Sequence, residues 1–262
     1  MFLSGLVSVT FRGKTPDRII DLCVESGLGA VEWGENAHVF PGDEAGSAEL
    51  RKKTLAAGLK IAAYGSYYRC ETKPEEGFAA TLMSAKALGA PVIRIWPGRM
   101  GSDKADDEYF RTVAKNAVQA AGMAADEGIK AAFEWHQNTL TDTNESAKRL
   151  LEMAESENLL CLWQPTPEIP MEERTTGIEM LGERLSHMHV YSWSDDRIRQ
   201  PFDGEGFLDK WRQYFSAVKK QGDCYALLEF VKDDSEEQLA RDAAALKKLL
   251  REMDGIRSRE GE

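Results

Sequence analysis

A chain of 262 residues permits one large domain or two small ones, and a hydrophobic content of 42% supports a sizeable core and excludes disorder. Its formal charge of −11 argues against a broad surface for the phosphates of DNA or RNA. Four cysteines (Cys23, Cys70, Cys161, Cys224) without a C-x-x-C pair argue against a disulfide scaffold or a thiolate zinc site.

Leu6–Phe11 alternates around Val7, Val9 and Phe11 and predicts a first strand. Thr15-Pro16-Asp17 predicts a capped helix over Asp17–Ser26, stopped by Gly27. Ala30–Trp33 reads as a strand, Ala45–Ala57 as a helix and Leu59–Tyr64 as a strand running into Gly65-Ser66-Tyr67-Tyr68-Arg69. Helix Pro74–Leu88, strand Pro91–Trp96 and the long helix Asp106–Glu127 follow, then strand Ile129–Trp135. Helix Thr143–Ser156 leads to strand Leu159–Gln164, and the weaker helix Met171–Gly182 to strand Leu185–Val190. A long loop, a helix around Phe207–Lys220, strand Tyr225–Phe230 and an amphipathic helix Ser235–Met253 complete the chain.

Eight strand–helix units with glycine stops predict parallel strands joined by right-handed crossovers, the plan of a (β/α)8 TIM barrel. No linker divides the sequence, so a single barrel domain is expected over 1–254, with a charged, frayed tail over 255–262. There is neither a Gly-x-Gly-x-x-Gly after the first strand nor a P-loop.

Active sites of such barrels lie at the C-terminal ends of the strands. Glu134, Gln164, His189 and Glu229 fall at the ends of strands five to eight. Two carboxylates, a carboxamide oxygen and an imidazole form a mixed donor set suited to Mn²⁺, Mg²⁺ or Zn²⁺. Such a cation could hold adjacent oxygens of a sugar or keto acid and stabilise an enediolate while Glu134 and Glu229 pass a proton on and off carbon.

Val31-Glu32-Trp33, Phe133-Glu134-Trp135-His136, His187-Met188-His189 and Leu228-Glu229-Phe230 together resemble the sugar phosphate isomerase/epimerase-like (xylose isomerase-like) TIM barrels over essentially the whole chain. The resemblance implies that Glu134, His189 and Glu229 bind a metal and that the two glutamates act as acid and base. Where that family has a strand-six Asp, this chain has Trp163-Gln164-Pro165, a pattern similar to one bacterial branch. Gln164 removes one negative charge from the donor set, which weakens the expected cation site.

Other polar groups near the strand ends are weighed against structural roles. Glu32 and Arg94 are expected to form an inward-facing ion pair, and His187 to lie one layer below His189. His136 and His38 are candidates for substrate hydroxyls, Trp33, Tyr64 and Trp193 for an aromatic wall, and Arg69 and Arg197 for an anionic group. Trp135 and Trp163 have outward parity and belong under helices.

The expected activity is isomerisation or epimerisation of a sugar or sugar-derived keto compound. A lyase or dehydratase sharing the same proton abstraction, and a non-catalytic carbohydrate-binding barrel, are the alternatives. A DNA-cleaving relative would need a histidine-rich zinc cluster and a positive face, whereas the chain has 4 histidines and a charge of −11. Met1–Val7 lacks the basic stretch and long apolar run of a signal peptide, and no run has the length of a membrane span. The cytoplasm is therefore the expected location, with neither nucleic acid nor membrane as partner, and assembly as a homodimer or homotetramer is left open.

Overall fold

The computed structural model describes residues 1–166 and 169–260. Its eight strands are β1 (Phe2–Val7), β2 (Ala30–Gly34), β3 (Lys60–Arg69), β4 (Val92–Trp96), β5 (Lys130–Glu134), β6 (Leu159–Trp163), β7 (Leu185–Val190) and β8 (Cys224–Leu228). They form a closed barrel in sequence order, parallel throughout, with β1 pairing both β2 and β8. The connections carry α1 (Pro16–Ser26), α2 (Glu44–Ala56), α3 (Pro74–Gly77), α4 (Ala79–Leu88), α5 (Asp107–Ala125), α6 (Asn144–Met153), α7 (Arg174–Leu181), α8 (Phe207–Ser216) and α9 (Glu236–Glu260). This is the expected (β/α)8 TIM barrel.

Local chemistry explains the regularity. The Thr15 hydroxyl accepts the Arg18 N–H, Pro16 occupies the first helical turn, and Gly27 closes α1 at φ +64° with its N–H on the Cys23 and Val24 carbonyls. Each cap of this kind contributes about 1 kcal/mol. Asp43, Asp106 and Thr143 cap α2, α5 and α6 in the same way.

The first strand begins earlier than its hydrophobic alternation suggests. Phe2–Leu6 pairs with Cys224–Leu228, whereas Ser8–Phe11 forms a 3-10 turn whose four residues are all buried. Burial of a turn produced the alternation there. The helix read over Pro74–Leu88 divides at Phe78 into α3 and α4. Of the tail 255–262, residues 255–260 continue α9, and 261–262 lie outside the described residues.

Two apolar layers sit on opposite sides of the sheet. The larger, between strands and helices, contains Trp33, Tyr64, Phe133, Trp135 and Trp163. A small separate group, Val7, Val9, Ala30, Ala62 and Leu227, fills the barrel interior. Gly5 lies against this group, where an added Cβ would meet the Ala30 carbonyl oxygen at 2.5 Å and Leu227 Cδ2 at 2.6 Å. The four cysteines are buried.

Candidate active site at the C-terminal mouth

Two polar clusters occupy the interior where β4–β8 end. In the first, Arg94 Nη1 donates to Glu134 Oε2 at 2.8 Å, and Gln164 Nε2 donates to Glu134 Oε1 at 3.3 Å. Arg94 Nη2 also donates to the Ser66 carbonyl at 3.2 Å. A Cβ at position 65 would lie 2.6 Å from Glu32 Oε1 and 3.1 Å from Arg94 Nη2, so Gly65 is what lets these side chains approach the β3 backbone.

In the second cluster, Glu32 Oε2 accepts from His187 Nε2 and His189 Nε2, each at 2.9 Å. His189 Nδ1 lies 3.5 Å from Glu229 Oε2. The expected Glu32–Arg94 pair is thus replaced by two others: Arg94 serves Glu134, and Glu32 serves the histidines. Here the β2–β3 register shifts by one residue between Val31 and Glu32, with Ala62 the extra residue on β3.

Charge follows from these contacts. Burial would lower the pKa of His189, but Glu32 and Glu229 together push it up to about 10. Burial would likewise raise the Glu32 carboxyl, yet the His189 charge and the two imidazole hydrogen bonds hold it well below the usual range. His187 is shifted the other way, because burial outweighs Glu32 and the neighbouring His189 cation opposes a second charge. The neutral His187 ring is consistent with its Nδ1 contact to the Ser186 hydroxyl at 2.8 Å.

Above this floor lies a cavity of about 440 Å³. Glu134, Gln164, Glu229 and Arg94 reach its wall, together with His136, Trp193, Arg197, Tyr67, Trp96 and Tyr191. His136 Nδ1 donates to the Gln137 carbonyl at 2.6 Å, which in the neutral ring leaves Nε2 as the acceptor, and its ring centroid lies 4.7 Å from that of Trp96. Trp193 packs against Tyr191 and Phe230. Glu32, His187 and His189 lie beneath the cavity rather than on its wall.

The structure places four sequence candidates elsewhere. His38 is buried, with Nδ1 on the Ser8 hydroxyl at 2.9 Å and Nε2 on the Lys14 carbonyl at 3.1 Å. Trp33 packs outward against it. Tyr64 also faces outward and donates to Glu35 Oε2 at 3.0 Å. Arg69 lies over the Trp96 ring and donates to the Gly98 carbonyl at 2.7 Å. Outward parity explains Trp33 and Tyr64, and the β3–β4 register shift between Gly65 and Arg69 explains the last.

Two sequence stretches near the strand ends prove to be scaffold. Thr141 Oγ1 donates to the Glu134 carbonyl at 2.6 Å, Thr139 Oγ1 to the His136 carbonyl at 2.7 Å, and Thr143 caps α6. Glu35 receives the Tyr64 hydroxyl, the Tyr67 N–H and the Thr81 hydroxyl, which holds the Tyr64–Arg69 stretch. Sequence reading missed Arg12, Arg94, Arg174 and Lys210 as cavity residues. Arg94 carried a usable signal, since a charged residue between Ile93 and Ile95 of a buried strand must face the interior.

The donors fit a divalent cation. His189 Nδ1 and Glu229 Oε2 are buried without hydrogen-bond partners among the described residues, while the opposite edge of the imidazole is held by Glu32. A carboxylate behind a ligating histidine is the usual way to orient its free nitrogen. Glu134 is less available, because Arg94 and Gln164 occupy its two oxygens. Among the described residues, Glu32, His187 and His189 also form a set whose ligand atoms lie within 4.8 Å of one another.

Residues 20–250 match the family model described as xylose isomerase-like TIM barrel. Among solved structures, the probable 3-DHS dehydratase AsbF of Bacillus anthracis is 18% identical, with a TM-score of 0.78 covering 94% of this chain and 99% of its own. An L-ribulose 3-epimerase is 15% identical, with a TM-score of 0.70 and 98% of each chain covered. The IolI protein with a bound zinc atom is 14% identical, with a TM-score of 0.70 covering 96% of this chain and 97% of its own. No curated protein sequence matches. No described helix is long and apolar enough to cross a membrane.

Proposed function

The chain belongs to the xylose isomerase-like TIM barrel family, and on that premise we propose that it is an isomerase or epimerase of a sugar or sugar-derived keto compound. The observation that carries this reading is the placement of Glu134 and Glu229 at the ends of β5 and β8 on one cavity, each nearly buried beside its own cation. Arg94 bonds Glu134 at 2.8 Å and the His189 imidazole faces Glu229 at 3.5 Å, so each carboxylate is positioned at the cavity by a basic neighbour. One glutamate, as carboxylate, removes a proton from the carbon beside the substrate carbonyl, and the other, carrying a proton taken from solvent, delivers it to the neighbouring carbon or to the opposite face.

His189 and Glu229 would hold a divalent cation, with Glu134 and Gln164 as further oxygen donors. Bound there, it would supply positive charge to adjacent substrate oxygens as an enediolate develops. His136 Nε2, the acceptor of the neutral ring on the cavity wall, receives a substrate hydroxyl. Trp96, Tyr67 and Trp193 offer flat apolar surface to the carbon skeleton and keep water from it.

The experiment is solvent deuterium uptake into a panel of keto sugars and keto acids, followed by mass spectrometry. The wild type should label one carbon, and Glu134→Gln and Glu229→Gln should each slow labelling by at least about a hundredfold. Products lacking one water would assign the chain to the dehydratase alternative, which begins with the same abstraction. Binding of a panel sugar without label in any compound would favour the non-catalytic barrel.

A further inference from the structure

The charge of the cavity wall opposes that of the chain. The protein carries −11, yet five basic side chains (Arg12, Arg94, Arg174, Arg197 and Lys210) line the cavity against three carboxylates, Glu134, Asp195 and Glu229. Arg94 is committed to Glu134. Arg174 and Lys210 differ from it, because neither has a carboxylate partner among the described residues. Arg174 Nε donates to the Ile169 carbonyl at 3.0 Å, and Nη1 donates to the Tyr214 hydroxyl at 3.2 Å. Neutral acceptors therefore hold its guanidinium in place without cancelling its charge. Lys210 stands 5.3 Å from the centre of the Phe207 ring, again beside a neutral neighbour.

A second observation points to the same wall. Thr166 is 3% exposed, lines the cavity, and its Oγ1 has no hydrogen-bond partner among the described residues. A buried hydroxyl without a partner is destabilising, and a ligand accepting its hydrogen bond would offset that. An anchored guanidinium, an ammonium and a spare hydroxyl on one wall make a seat for a small oxyanion.

We propose that Arg174, Lys210 and Thr166 form an anion subsite that binds the terminal phosphate or carboxylate of the substrate. The subsite stands on α7, α8 and the loop after β6, which Arg174 links through its bonds to the Ile169 carbonyl and the Tyr214 hydroxyl. A substrate anchored there presents its carbonyl end toward Glu134 and Glu229, which selects acyclic or ring sugars carrying one anionic end over neutral ones. Placement of the reacting carbon rests on the proton-transfer reading above, whereas the seat itself does not.

The test is calorimetric titration of the full, chelator-treated chain with two probes, inorganic phosphate and glycolate. Saturable binding of either is expected. It should weaken at least tenfold in Arg174→Gln, be restored in part by Arg174→Lys, and weaken in Lys210→Gln and Thr166→Val. Tighter phosphate binding would identify a phosphorylated substrate, and tighter glycolate binding a sugar acid. Glu134→Gln and Glu229→Gln should leave probe binding intact, so loss of the seat and loss of proton transfer are read separately. Absence of saturable binding of both probes overturns the proposal, as does binding that survives Arg174→Gln and Lys210→Gln or disappears only in Arg12→Gln.

Discussion

Arg94 and Glu134 face each other at 2.8 Å inside the barrel, with 4% of each side chain exposed. The pair comes from adjacent strands, in which Arg94 is level with Ala132 and Glu134 lies two residues further on. Removing one partner leaves a buried charge uncompensated, at a cost of about 3–5 kcal/mol. Arg94→Met should therefore lower urea stability by that amount, and the double variant with Glu134→Gln should regain most of it. A double-variant loss equal to the sum of the two single losses would show that the two groups act independently.

Gly65 supports a second prediction. An added methyl would meet Glu32 Oε1 at 2.6 Å and Arg94 Nη2 at 3.1 Å, and both belong to tightly held polar groups. Gly65→Ala should cost about 1–3 kcal/mol through overpacking. It should also disturb both clusters, which the histidine resonances in NMR would report as shifts at His187 and His189. An unchanged melting temperature would mean that Glu32 moves aside freely.

The charge on His189 predicts a pH dependence. Its pKa is pushed from an unfolded value of about 6.5 to about 10 by Glu32 and Glu229. The stability this group contributes is complete below the unfolded pKa and is lost as pH rises through the folded one. Metal-stripped protein should therefore lose stability between neutral and strongly alkaline pH. Glu32→Gln should flatten that slope, since it removes the first of the two carboxylates. Denaturation curves across this range measure both effects, and a slope unaltered by the substitution would assign the alkaline loss to other groups.

The barrel was legible because its units are marked locally. Thr15, Pro16 and Gly27 bound the first helix in the structure as they do in the sequence, and strand parity set Trp135 and Trp163 outward. Parity also placed Glu134, Gln164 and Glu229 on one cavity. Partner choice was not legible. Glu32 meets His187 and His189 some 155 and 157 residues away, across the interior, a pairing that no local pattern announces. Arg174 and Lys210 stayed hidden because helices contribute them, whereas the sequence argument followed strand ends.

Cation binding yields the last prediction, because His189 belongs to two donor sets. Through Nδ1 it faces Glu229 at the cavity floor, and through Nε2 it bonds Glu32 beside His187. A cation at the floor displaces one imidazole proton and leaves the Nε2–Glu32 hydrogen bond in place. The deeper seat would require both Nε2 protons to leave and the shared Glu32 oxygen to change partners. The floor is therefore favoured, and Mn²⁺ affinity should rise with pH toward about 10, where His189 loses its proton. In calorimetric titrations Glu229→Gln should weaken Mn²⁺ binding at least about tenfold, and His187→Asn should change it far less. The reverse pattern would put the ion beneath the cavity, out of reach of any substrate oxygen, and leave proton transfer to Glu134 and Glu229 with Arg94 as the nearest fixed cation.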